Sequence, residues 1–323
     1  MKALLLAAGL GTRMAPLTSD RPKPALPLLD EPLLLRLVRH LARQGIESVV
    51  VNAHRHVESL RRTLADAPLV VQLSIEPELR GSGGGVQQAR ELLGGSDPFL
   101  VVNADMWIEL DLPALLEAHE RSGAGATLVL REDPRKATFG TIGYARDGLV
   151  CRITDLVEGG GEKGSGLFTG VQLVSREIFT HMPDRLCFDL VRDVYVPWLR
   201  EEAALSSWMH PRTADWWPVG TPRELLDANL VALERASRKN DGEPLVAHEA
   251  RLEGDLQPPV WVGAGARVAA GARVGPHAVV GAGARVPAGC TVVRSVLLPG
   301  ARPPTGSVLQ RAIVFGRRVW RDA

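Results

Sequence analysis

The sequence predicts an α/β protein with a mostly parallel sheet, followed by a parallel β-helix. The first observation is an alternation of short apolar segments with segments of helical periodicity, which runs from residue 1 to about residue 235. This alternation is typical of helices that cover both faces of a parallel sheet. The second observation is a valine that returns at every sixth position from Val262 onward. A six-residue period of this kind is typical of a parallel β-helix.

The alternating region predicts strands and helices in turn. Apolar runs predict strands at residues 2–8, 48–52, 70–75, 99–103, 126–130 and 170–174. Amphipathic segments predict helices at residues 32–44, 56–64, 85–93, 112–121, 189–202 and 223–233. Several of these strands are continuous apolar runs, so we expect a sheet whose two faces are both buried.

The C-terminal region consists of consecutive hexapeptides, which are VGAGAR, VAAGAR, VGPHAV, VGAGAR and VPAGCT from Val262 to Thr291. The valines are expected to stack inside a three-sided coil, with small residues between them. A flexible Gly/Ala-rich linker is the alternative, and the consecutive matches argue against it. We therefore predict a first domain at 1–235, a linker at 236–256 and a β-helix domain at 257–323, whose expected use is packing and assembly of a homo-oligomer.

Composition and charge exclude several classes of protein. The 323 residues are 45% hydrophobic and 23% charged, with a formal net charge of +1, so no overall field favours nucleic acid or a membrane surface. The three cysteines lack metal-ligand spacing, which fits a reducing compartment. The apolar start of about eight residues is too short for a signal peptide or a membrane span. We expect a cytoplasmic protein that binds neither nucleic acid nor membrane.

The segment after the first predicted strand, GLGTRMAPLTSDRPKPALPL, has the composition of an anion-binding loop. Glycines after a buried strand allow a tight turn and a close approach of backbone N–H groups to an anion. A dinucleotide-binding fingerprint needs a third glycine where Met14 stands, and a P-loop needs a Gly-Lys-Ser/Thr sequence that is absent here. The remaining interpretation is a nucleoside triphosphate loop that uses side-chain cations. Arg13 is one cation, and Lys23 is another, since Pro22 and Pro24 restrict the backbone on both of its sides.

This segment resembles the signature of the sugar-1-phosphate nucleotidyltransferases. Their pattern G-x-G-T-R-x-x-P-L-T, then P-K-P, then P-L, is present at residues 9–18, 22–24 and 27–28. The hexapeptide tail is similar to that of the mannose-1-phosphate guanylyltransferases. The resemblance implies a Rossmann-like nucleotidyltransferase domain followed by a left-handed parallel β-helix. It also implies that a sugar 1-phosphate attacks the α-phosphate of a nucleoside triphosphate, which gives an NDP-sugar and pyrophosphate, so these two substrates are the expected partners.

The resemblance also implies roles for individual residues. Arg13 would hold the triphosphate tail and Lys23 would stabilise charge on the α-phosphate, so both are assigned as catalytic. Chemistry of this type uses Mg²⁺, for which Asp105, at the end of an apolar strand, and Asp215 are the expected ligands. The nucleotide-binding residues are Leu6, Ala8, Gly9, Gly11, Thr12, Glu76, Gly81, Ser82 and Gly83. The sugar-binding residues are Gly140, Asp155 and Thr169.

Two positions depart from the family pattern. The family has W-x-D-V/I-G-T-P near the end of the catalytic domain, and here Pro218 stands in the place of that aspartate. Proline cannot bind a metal, which leaves three alternatives. Asp215 reaches in from three residues earlier, or Asp105 holds the ion together with phosphates and water. The third alternative is that catalysis is reduced or lost. Leu156 stands where many relatives have a lysine that holds the sugar phosphate. Arg152 or Lys163 could substitute, or both are surface charges.

The base, the sugar and the activity itself stay open at this level. Glu76 matches the family position that contacts the base edge, and a carboxylate only accepts hydrogen bonds. Guanine offers two adjacent donors where uracil and thymine offer one, which favours GTP. The β-helix tail also favours guanylyl transfer, with mannose or a heptose 1-phosphate as the acceptor. One alternative is a uridylyltransferase that acts on an amino-sugar or N-acetylmuramate 1-phosphate. Another is a non-catalytic relative that binds a sugar nucleotide and regulates a partner enzyme, which Pro218 and Leu156 favour.

Overall fold

The computed structural model describes residues 1–135, 141–157, 159–201 and 204–322. Its α-helices are α1 (Leu33–Arg43), α2 (Val57–Thr63), α3 (Gly81–Gln88), α4 (Arg90–Leu93), α5 (Leu112–Ser122), α6 (Val196–Arg200) and α7 (Pro222–Arg238). Short 3₁₀ segments lie at Thr12–Met14, Lys23–Ala25 and Arg176–Thr180, and a π-helical turn lies at Val191–Tyr195. Within these described ranges, no helix combines the length and the apolar character that crossing a membrane requires.

The strands of the first two hundred residues are mostly longer than those that follow. They are β1 (Lys2–Leu6), β2 (Pro27–Leu28), β3 (Glu31–Pro32), β4 (Ser48–Ala53), β5 (Val70–Ile75), β6 (Phe99–Asn103), β7 (Met106–Ile108), β8 (Ala126–Arg131), β9 (Ile142–Tyr144), β10 (Val150–Ile153) and β11 (Gly164–Val174). The later strands are β12 (Leu205–Met209), β13 (Trp216–Pro218), β14 (Leu245–Val246), β15 (Arg251–Leu252), β16 (Asp255–Leu256), β17 (Val260–Val262), β18 (Arg267–Val268), β19 (Arg273–Val274), β20 (Ala278–Val280), β21 (Arg285–Val286), β22 (Thr291–Val293), β23 (Ser295–Leu297), β24 (Val308–Gln310), β25 (Ala312–Phe315) and β26 (Arg318–Arg321).

One compact unit contains the large sheet. It comprises Met1–Leu10, Pro22–Pro24 and Leu34–Trp216. Its strands follow the order β10-β9-β11-β6-β1-β4-β5, with β8 paired to β11 and β12 paired to β8. β1 is parallel to β4 and β6, and β4 is parallel to β5, whereas β11 runs antiparallel to β6. This arrangement confirms the predicted α/β architecture. The carboxyl ends of β1, β4, β5 and β6 share one edge, where α/β sheets bind ligands.

Successive residues of the parallel strands pack on opposite faces of this sheet, as a pleated strand requires. Leu5 and Val51 lie in a buried cluster with side chains of α1, α2 and α5. Leu4 and Val50 lie in a second cluster with side chains of α3, α4 and α6. Each such side chain, when fully buried, contributes about 1.5–3 kcal/mol. The continuous apolar runs in the sequence therefore reflect helices on both faces of the sheet.

Helix α5 shows how local sequence sets the ends of an element. Asp111 caps its N-terminus, because the side-chain Oδ1 accepts a hydrogen bond from the Ala114 N–H at 3.1 Å. Gly123 ends it in the left-handed conformation, with φ of 61°. The helix predicted at 112–121 therefore has the observed bounds Leu112–Ser122.

A second compact unit contains the β-helix. It comprises Gly11–Arg21, Ala25–Leu33 and Trp217–Ala323. Three parallel sheets form the sides of the coil, in the orders β14-β17-β20-β23-β25, β15-β18-β21 and β16-β19-β22-β24. Arg267 pairs with Arg285 and Val268 with Val286, so one coil takes 18 residues, or three hexapeptides. The repeating valines are at most 1% exposed and stack inside the coil, which confirms the predicted parallel β-helix.

The structure corrects the predicted linker at 236–256. Residues 245–256 form β14, β15 and β16, which pair in parallel with β17, β18 and β19, so they make the first coil of the β-helix. The period is hard to see in this coil because Leu252 and Leu256 stand in place of valine among charged residues. In addition, α7 continues to Arg238, past the predicted end of the first domain.

Packing also assigns part of the N-terminal signature to the second unit. Residues 11–21 and 25–33 belong to it. Asp30, in the turn between β2 and β3, accepts hydrogen bonds from the Trp261 Nε1 at 2.7 Å and from the Ala282 N–H at 2.8 Å. These contacts span more than 200 positions of the sequence, so no local pattern could predict them.

Candidate active site

A lysine and an aspartate meet at the carboxyl end of β6. The Lys23 Nζ lies 2.6 Å from the Asp105 Oδ2, although the two residues are 82 positions apart in the sequence. Asp105 follows β6 closely, and the preceding Ala104 N–H donates to the Leu6 carbonyl at 3.0 Å, which extends the pairing of β1 with β6. The Lys23 side chain is 8% exposed and that of Asp105 is 43% exposed. The structure thus joins the predicted catalytic cation and the predicted metal ligand in one ion pair, whose acidic member is open to solvent.

A buried asparagine holds the start of the glycine loop. The Asn52 Oδ1, near the end of β4, accepts hydrogen bonds from the N–H groups of Ala7 and Ala8 at 2.5 and 3.0 Å. The N–H of Ala8, a predicted nucleotide-binding residue, is therefore directed at Asn52. Gly9 is exposed, and a Cβ built on it would meet no described atom within 4 Å. The open part of the loop thus begins at Gly9.

Glu76 lies at the end of β5 and is 1% exposed. Its Oε1 accepts a hydrogen bond from the Asn52 Nδ2 at 2.8 Å, and its Oε2 accepts one from the Arg80 N–H at 3.1 Å. Its backbone N–H donates to the Ala53 carbonyl at 2.7 Å. Glu76 is predicted to contact the base edge, yet in the structure both side-chain oxygens accept hydrogen bonds from the protein.

The glycine-rich start of α3 packs against residues 186–190 of the same unit. The Gly83 N–H donates to the Phe188 carbonyl at 3.0 Å, and a Cβ built on Gly83 would overlap the Phe188 ring. A Cβ built on Gly81, whose φ is +71°, would lie 2.5 Å from the Phe188 carbonyl oxygen. Nucleotide binding is the predicted reason for these glycines. The structure supplies another reason, which is the close approach of the protein's own chain.

Ser82 takes part in the same contact. Its Oγ donates to the Asp189 Oδ2 at 2.9 Å and accepts from the Leu190 N–H at 2.9 Å. The Asp189 Oδ1 accepts hydrogen bonds from the Val191 and Arg192 N–H groups at 3.0 and 2.9 Å. The predicted nucleotide-binding serine is thus bonded to a carboxylate that caps the following helical turn.

Gly11, Thr12 and Arg13 belong to the second unit, where they begin a tight turn. Gly11 has φ of +61°, and its carbonyl accepts a hydrogen bond from the Thr18 hydroxyl at 3.1 Å. Thr12 and Arg13 are exposed. A terminal guanidinium nitrogen of Arg13 would lie 3.6 Å from a Cβ built on Gly220. The Val-Gly-Thr-Pro segment therefore lies beside the predicted catalytic arginine within this unit.

Similarity to known proteins identifies the family of this chain. The family model described as nucleotidyl transferase matches residues 2–235, which is more than half of the chain. The chain belongs to this family. It is 23% identical to the UTP–glucose-1-phosphate uridylyltransferase of Synechocystis sp., over 98% of this chain and 88% of the relative. It is 25% identical to the probable mannose-1-phosphate guanylyltransferase 3 of Oryza sativa subsp. japonica, over 97% of this chain and 86% of the relative.

The fold of this nucleotidyl transferase also occurs in solved structures. The crystal structure of HddC from Yersinia pseudotuberculosis complexed with GMP-PN matches 71% of this chain and 97% of that chain, with a TM-score of 0.59 and 23% identity. At this identity the match shows the fold. The family model and the curated relatives confirm the resemblance to sugar-1-phosphate nucleotidyltransferases and the expectation of nucleotidyl transfer to a sugar 1-phosphate.

Two of the three predicted sugar-binding residues of this nucleotidyl transferase lie in the described part of the chain. Thr169 is 4% exposed, and its hydroxyl donates to the Val129 carbonyl at 2.8 Å. Asp155 is exposed in the turn after β10. Gly140 lies outside the described residues. The roles of these residues in sugar binding stay predictions.

Arg152, the suggested substitute for the missing lysine, is engaged in an ion pair. Its guanidinium donates to the two Glu162 carboxylate oxygens at 2.7 and 3.1 Å and to the Thr141 hydroxyl at 2.8 Å. The hydrogen bond with Glu162 raises the pKa of Arg152, and the same contact lowers the pKa of Glu162. Lys163 is exposed. Arg152 therefore holds β9 and β10 to the loop that follows them.

Mg²⁺ fits Asp105 when phosphate and water oxygens supply the other ligands. Asp105 presents a part-exposed carboxylate at the strand end, and Mg²⁺ usually keeps several waters when one or two carboxylates bind it. In the parts of the chain that the structure describes, no group of three or more His, Cys, Asp or Glu side chains is arranged to hold a metal ion. The described residues therefore do not form a metal site with protein ligands alone.

Asp215, the second predicted ligand, lies in a backbone pairing with Glu109. The Asp215 N–H donates to the Glu109 Oε2 at 3.1 Å, and the Glu109 N–H donates to the Asp215 carbonyl at 2.9 Å. Its side chain lies near the Arg131 guanidinium. Burial lowers the pKa of Arg131, while the carboxylates of Asp133 and Asp215 act in the opposite direction. The role of Asp215 as a metal ligand stays a prediction.

Asn52 and Asp189 are site residues that the sequence interpretation missed. Asn52, like Asp105, is a polar residue near the carboxyl end of an apolar strand, and this pattern could have identified it in the sequence. The position of Asp189 depends on the contact between α3 and residues 186–190, for which the sequence has no local signal.

Proposed function

We propose that this protein transfers the guanylyl group of GTP to mannose 1-phosphate, which releases pyrophosphate and forms GDP-mannose. The observation that supports transfer chemistry is the ion pair of Lys23 and Asp105 at the carboxyl end of β6. It places a buried ammonium beside a carboxylate that is open to solvent. The exposed Arg13 supplies a second cation in the signature loop.

The nucleophile of this reaction is a phosphate oxygen of the sugar 1-phosphate. It is already anionic, so no residue has to remove a proton from it. The transfer instead requires alignment of the attacking oxygen with the leaving pyrophosphate, and stabilisation of the charge on the α-phosphate. Lys23 suits this task because its side chain is buried, and a fixed charge away from water acts more strongly than a solvated one.

Asp105 is the residue that would hold Mg²⁺. When bound, the ion supplies additional positive charge at the phosphates and fixes their orientation. The part-exposed Asp105 carboxylate provides the attachment point, since phosphates and water can reach it from the solvent side. Lys23 would thus supply a fixed ammonium, and Asp105 would hold the divalent cation.

The choice of GTP and mannose is supported by relatives and not by Glu76. Each Glu76 oxygen already accepts one hydrogen bond from the protein, so the preference for GTP is based on the relatives instead. The Oryza relative named as a probable mannose-1-phosphate guanylyltransferase aligns with 97% of the chain, which includes most of the β-helix. Relatives named as mannose-1-phosphate guanylyltransferases also recur among the proteins that match this chain, and this recurrence is the basis for preferring guanylyl transfer.

Uridylyl transfer to glucose 1-phosphate is the second candidate. The Synechocystis relative of that name aligns with 98% of the chain, and its 23% identity is close to the 25% of the Oryza relative. A uridylyltransferase that acts on an amino-sugar or N-acetylmuramate 1-phosphate is a variant of this candidate. The two candidates share the transfer chemistry and differ in the pockets for base and sugar.

Pyrophosphate release in the presence of Mg²⁺ tests the proposal. GTP, UTP, dTTP, CTP and ATP are combined with mannose, glucose, heptose, N-acetylhexosamine and N-acetylmuramate 1-phosphates. We expect the highest kcat/KM for GTP with mannose 1-phosphate, and the D105N variant controls for contaminating activity. Preference for UTP would establish the second candidate. Absence of turnover with retained binding of an NDP-sugar would overturn both and indicate a regulatory protein.

A further inference from the structure

Asn52 and Glu76 are buried polar side chains that bridge three segments of the first unit. Asn52 is 3% exposed and Glu76 is 1% exposed. The Asn52 Oδ1 accepts from the N–H groups of Ala7 and Ala8, and the Glu76 Oε2 accepts from the Arg80 N–H. The Asn52 Nδ2 donates to the Glu76 Oε1 at 2.8 Å and joins the two halves. One continuous set of hydrogen bonds therefore links the glycine loop after β1 to the loop that leads into α3.

Donor and acceptor chemistry determines the direction of each of these hydrogen bonds. An amide oxygen only accepts, an amide nitrogen only donates, and a carboxylate only accepts. The N–H groups of Ala7 and Ala8 need an acceptor, so the Asn52 oxygen faces them and the Asn52 nitrogen faces Glu76. Glu76 thereby prevents a half-turn of the amide, which would aim its NH₂ group at two N–H donors.

The pair is also seated against a glycine. A Cβ built on Gly85 would lie 2.7 Å from the Asn52 Nδ2 and 2.9 Å from the Glu76 Oε1. Both distances are well below an ordinary van der Waals contact of about 3.5–4.0 Å. Gly85 is therefore explained by the space that the pair occupies, without a ligand.

We infer that Asn52 and Glu76 are positioning residues for nucleotidyl transfer. Asn52 sets the conformation of the loop that begins at Ala7, and Glu76 acts through Asn52 instead of contacting the nucleobase. This inference rests on the proposed function. It contrasts with the prediction that Glu76 selects guanine, because a positioning pair affects every nucleotide equally.

A reciprocal exchange of the two functional groups tests the inference. In E76Q, an NH₂ group faces either the Asn52 NH₂ or the Arg80 N–H, and in N52D two carboxyl oxygens face each other across the 2.8 Å contact. The double variant N52D/E76Q restores each donor–acceptor pair and keeps one carboxyl group, as in the wild type. We expect kcat/KM to fall about 10- to 100-fold in each single variant and to recover most of that loss in the double variant.

The measurement is kcat/KM for pyrophosphate release with GTP and with UTP. The matched control is E78Q, because Glu78 is an exposed carboxylate two positions from Glu76. A positioning role predicts equal losses with both nucleotides and an unchanged ratio of GTP to UTP activity. A changed ratio in E76Q, or a double variant as impaired as the single variants, would overturn the inference.

Thermal unfolding and nucleotide binding separate this inference from the proposed function. If the wild type turns over no substrate pair, the proposed function fails, and GTP affinity by calorimetry then replaces turnover. The same losses in the single variants and the same recovery in the double variant are expected in affinity and in Tm. If a single variant is too unstable to purify, the double variant is compared with wild type directly. A double variant that does not fold refutes the assigned hydrogen bonds.

Discussion

Replacement of Lys23 by alanine is expected to lower kcat for pyrophosphate release by about 10²–10³-fold, which corresponds to about 2.7–4 kcal/mol of transition-state stabilisation. The structure holds this ammonium 2.6 Å from Asp105, and the Lys23 side chain is only 8% exposed. Water therefore screens the ammonium charge only weakly and rarely replaces its hydrogen-bond partners. This loss in kcat is the one expected when a single preorganised group that stabilises a developing negative charge is removed.

The same change is expected to affect folding much less. Asp105 is 43% exposed, so water can hydrate its carboxylate once the ammonium is gone. Only the Lys23 member of the pair is buried, so we expect the loss in stability to be about 1 kcal/mol, the upper end for exposed pairs. The K23M variant keeps an aliphatic side chain at the buried position and removes only the charge. A large loss in kcat with a small change in Tm therefore identifies a catalytic charge.

The assay is steady-state pyrophosphate release at saturating nucleotide and sugar phosphate for wild type, K23A and K23M. K239A is the matched control, since Lys239 is exposed at the end of α7. Full kcat in K23M would refute the role assigned to the ammonium. A loss in K239A as large as that in K23A would show that the assay responds to surface charge in general.

Three further predictions concern stability. Gly84→Ala should lower the free energy of unfolding by about 1–3 kcal/mol, measured by urea titration, because a Cβ there would overlap the Leu186 carbonyl oxygen. Gly9→Ala is its matched control, since a Cβ at Gly9 meets no described atom within 4 Å. Asp30→Ala should lower Tm and increase hydrogen exchange in β2 and β3, because Asp30 accepts hydrogen bonds from the Trp261 indole and a backbone N–H of the β-helix. Stability, measured by thermal unfolding, should fall as the pH decreases below about 6.5, because burial lowers the pKa of three histidines and the unfolded chain then binds more protons than the folded one. These residues are His40, His119 and His210.

Each of these predictions has a contradicting result. Equal stabilities of the two glycine variants would contradict the packing of residues 186–190 against α3. Unchanged exchange in the Asp30 variant would contradict the anchoring of the β2–β3 turn, and Asp255→Ala, an exposed carboxylate of the same β-helix, is the control. A flat stability profile between about pH 6.5 and pH 5 would contradict the histidine assignment. His119→Gln should make the slope shallower, because one of the three groups no longer titrates.

The central strands could be predicted because their signal is local. The apolar runs at Val70–Ile75 and Phe99–Asn103 coincide with the observed β5 and β6. β11 was harder, since it begins at Gly164 and not at residue 170. Its first residues are glycine and serine, which have low strand propensity, and pairing with β9 keeps them extended. Tertiary pairing therefore overrode local preference at that end.

The candidate site also combines features that the sequence predicts with features that only the folded chain reveals. The signature loop predicted Lys23, and the strand-end pattern predicted Asp105, but their direct contact depends on the path by which the folded chain brings Lys23 back to the end of β6. The hydrogen bonds of Glu76 to Asn52 and Arg80 could not be inferred, because only the folded chain brings these groups together. Gly81 and Gly83 of α3 were predicted to bind the nucleotide, and only the packing of residues 186–190 revealed another cause for these glycines.

The sequence by itself determined the strand and helix pattern, the hexapeptide coil and the residue types that carry the chemistry. Only the tertiary structure decided that residues 245–256 begin the β-helix, that residues 11–21 and 25–33 belong to the second unit, and that Asn52 and Glu76 are hydrogen-bonded to each other. The physical reason is the range of each signal. Periodicity and propensity depend on neighbours along the chain, whereas a hydrogen bond depends on the distance and direction between groups that meet only after folding.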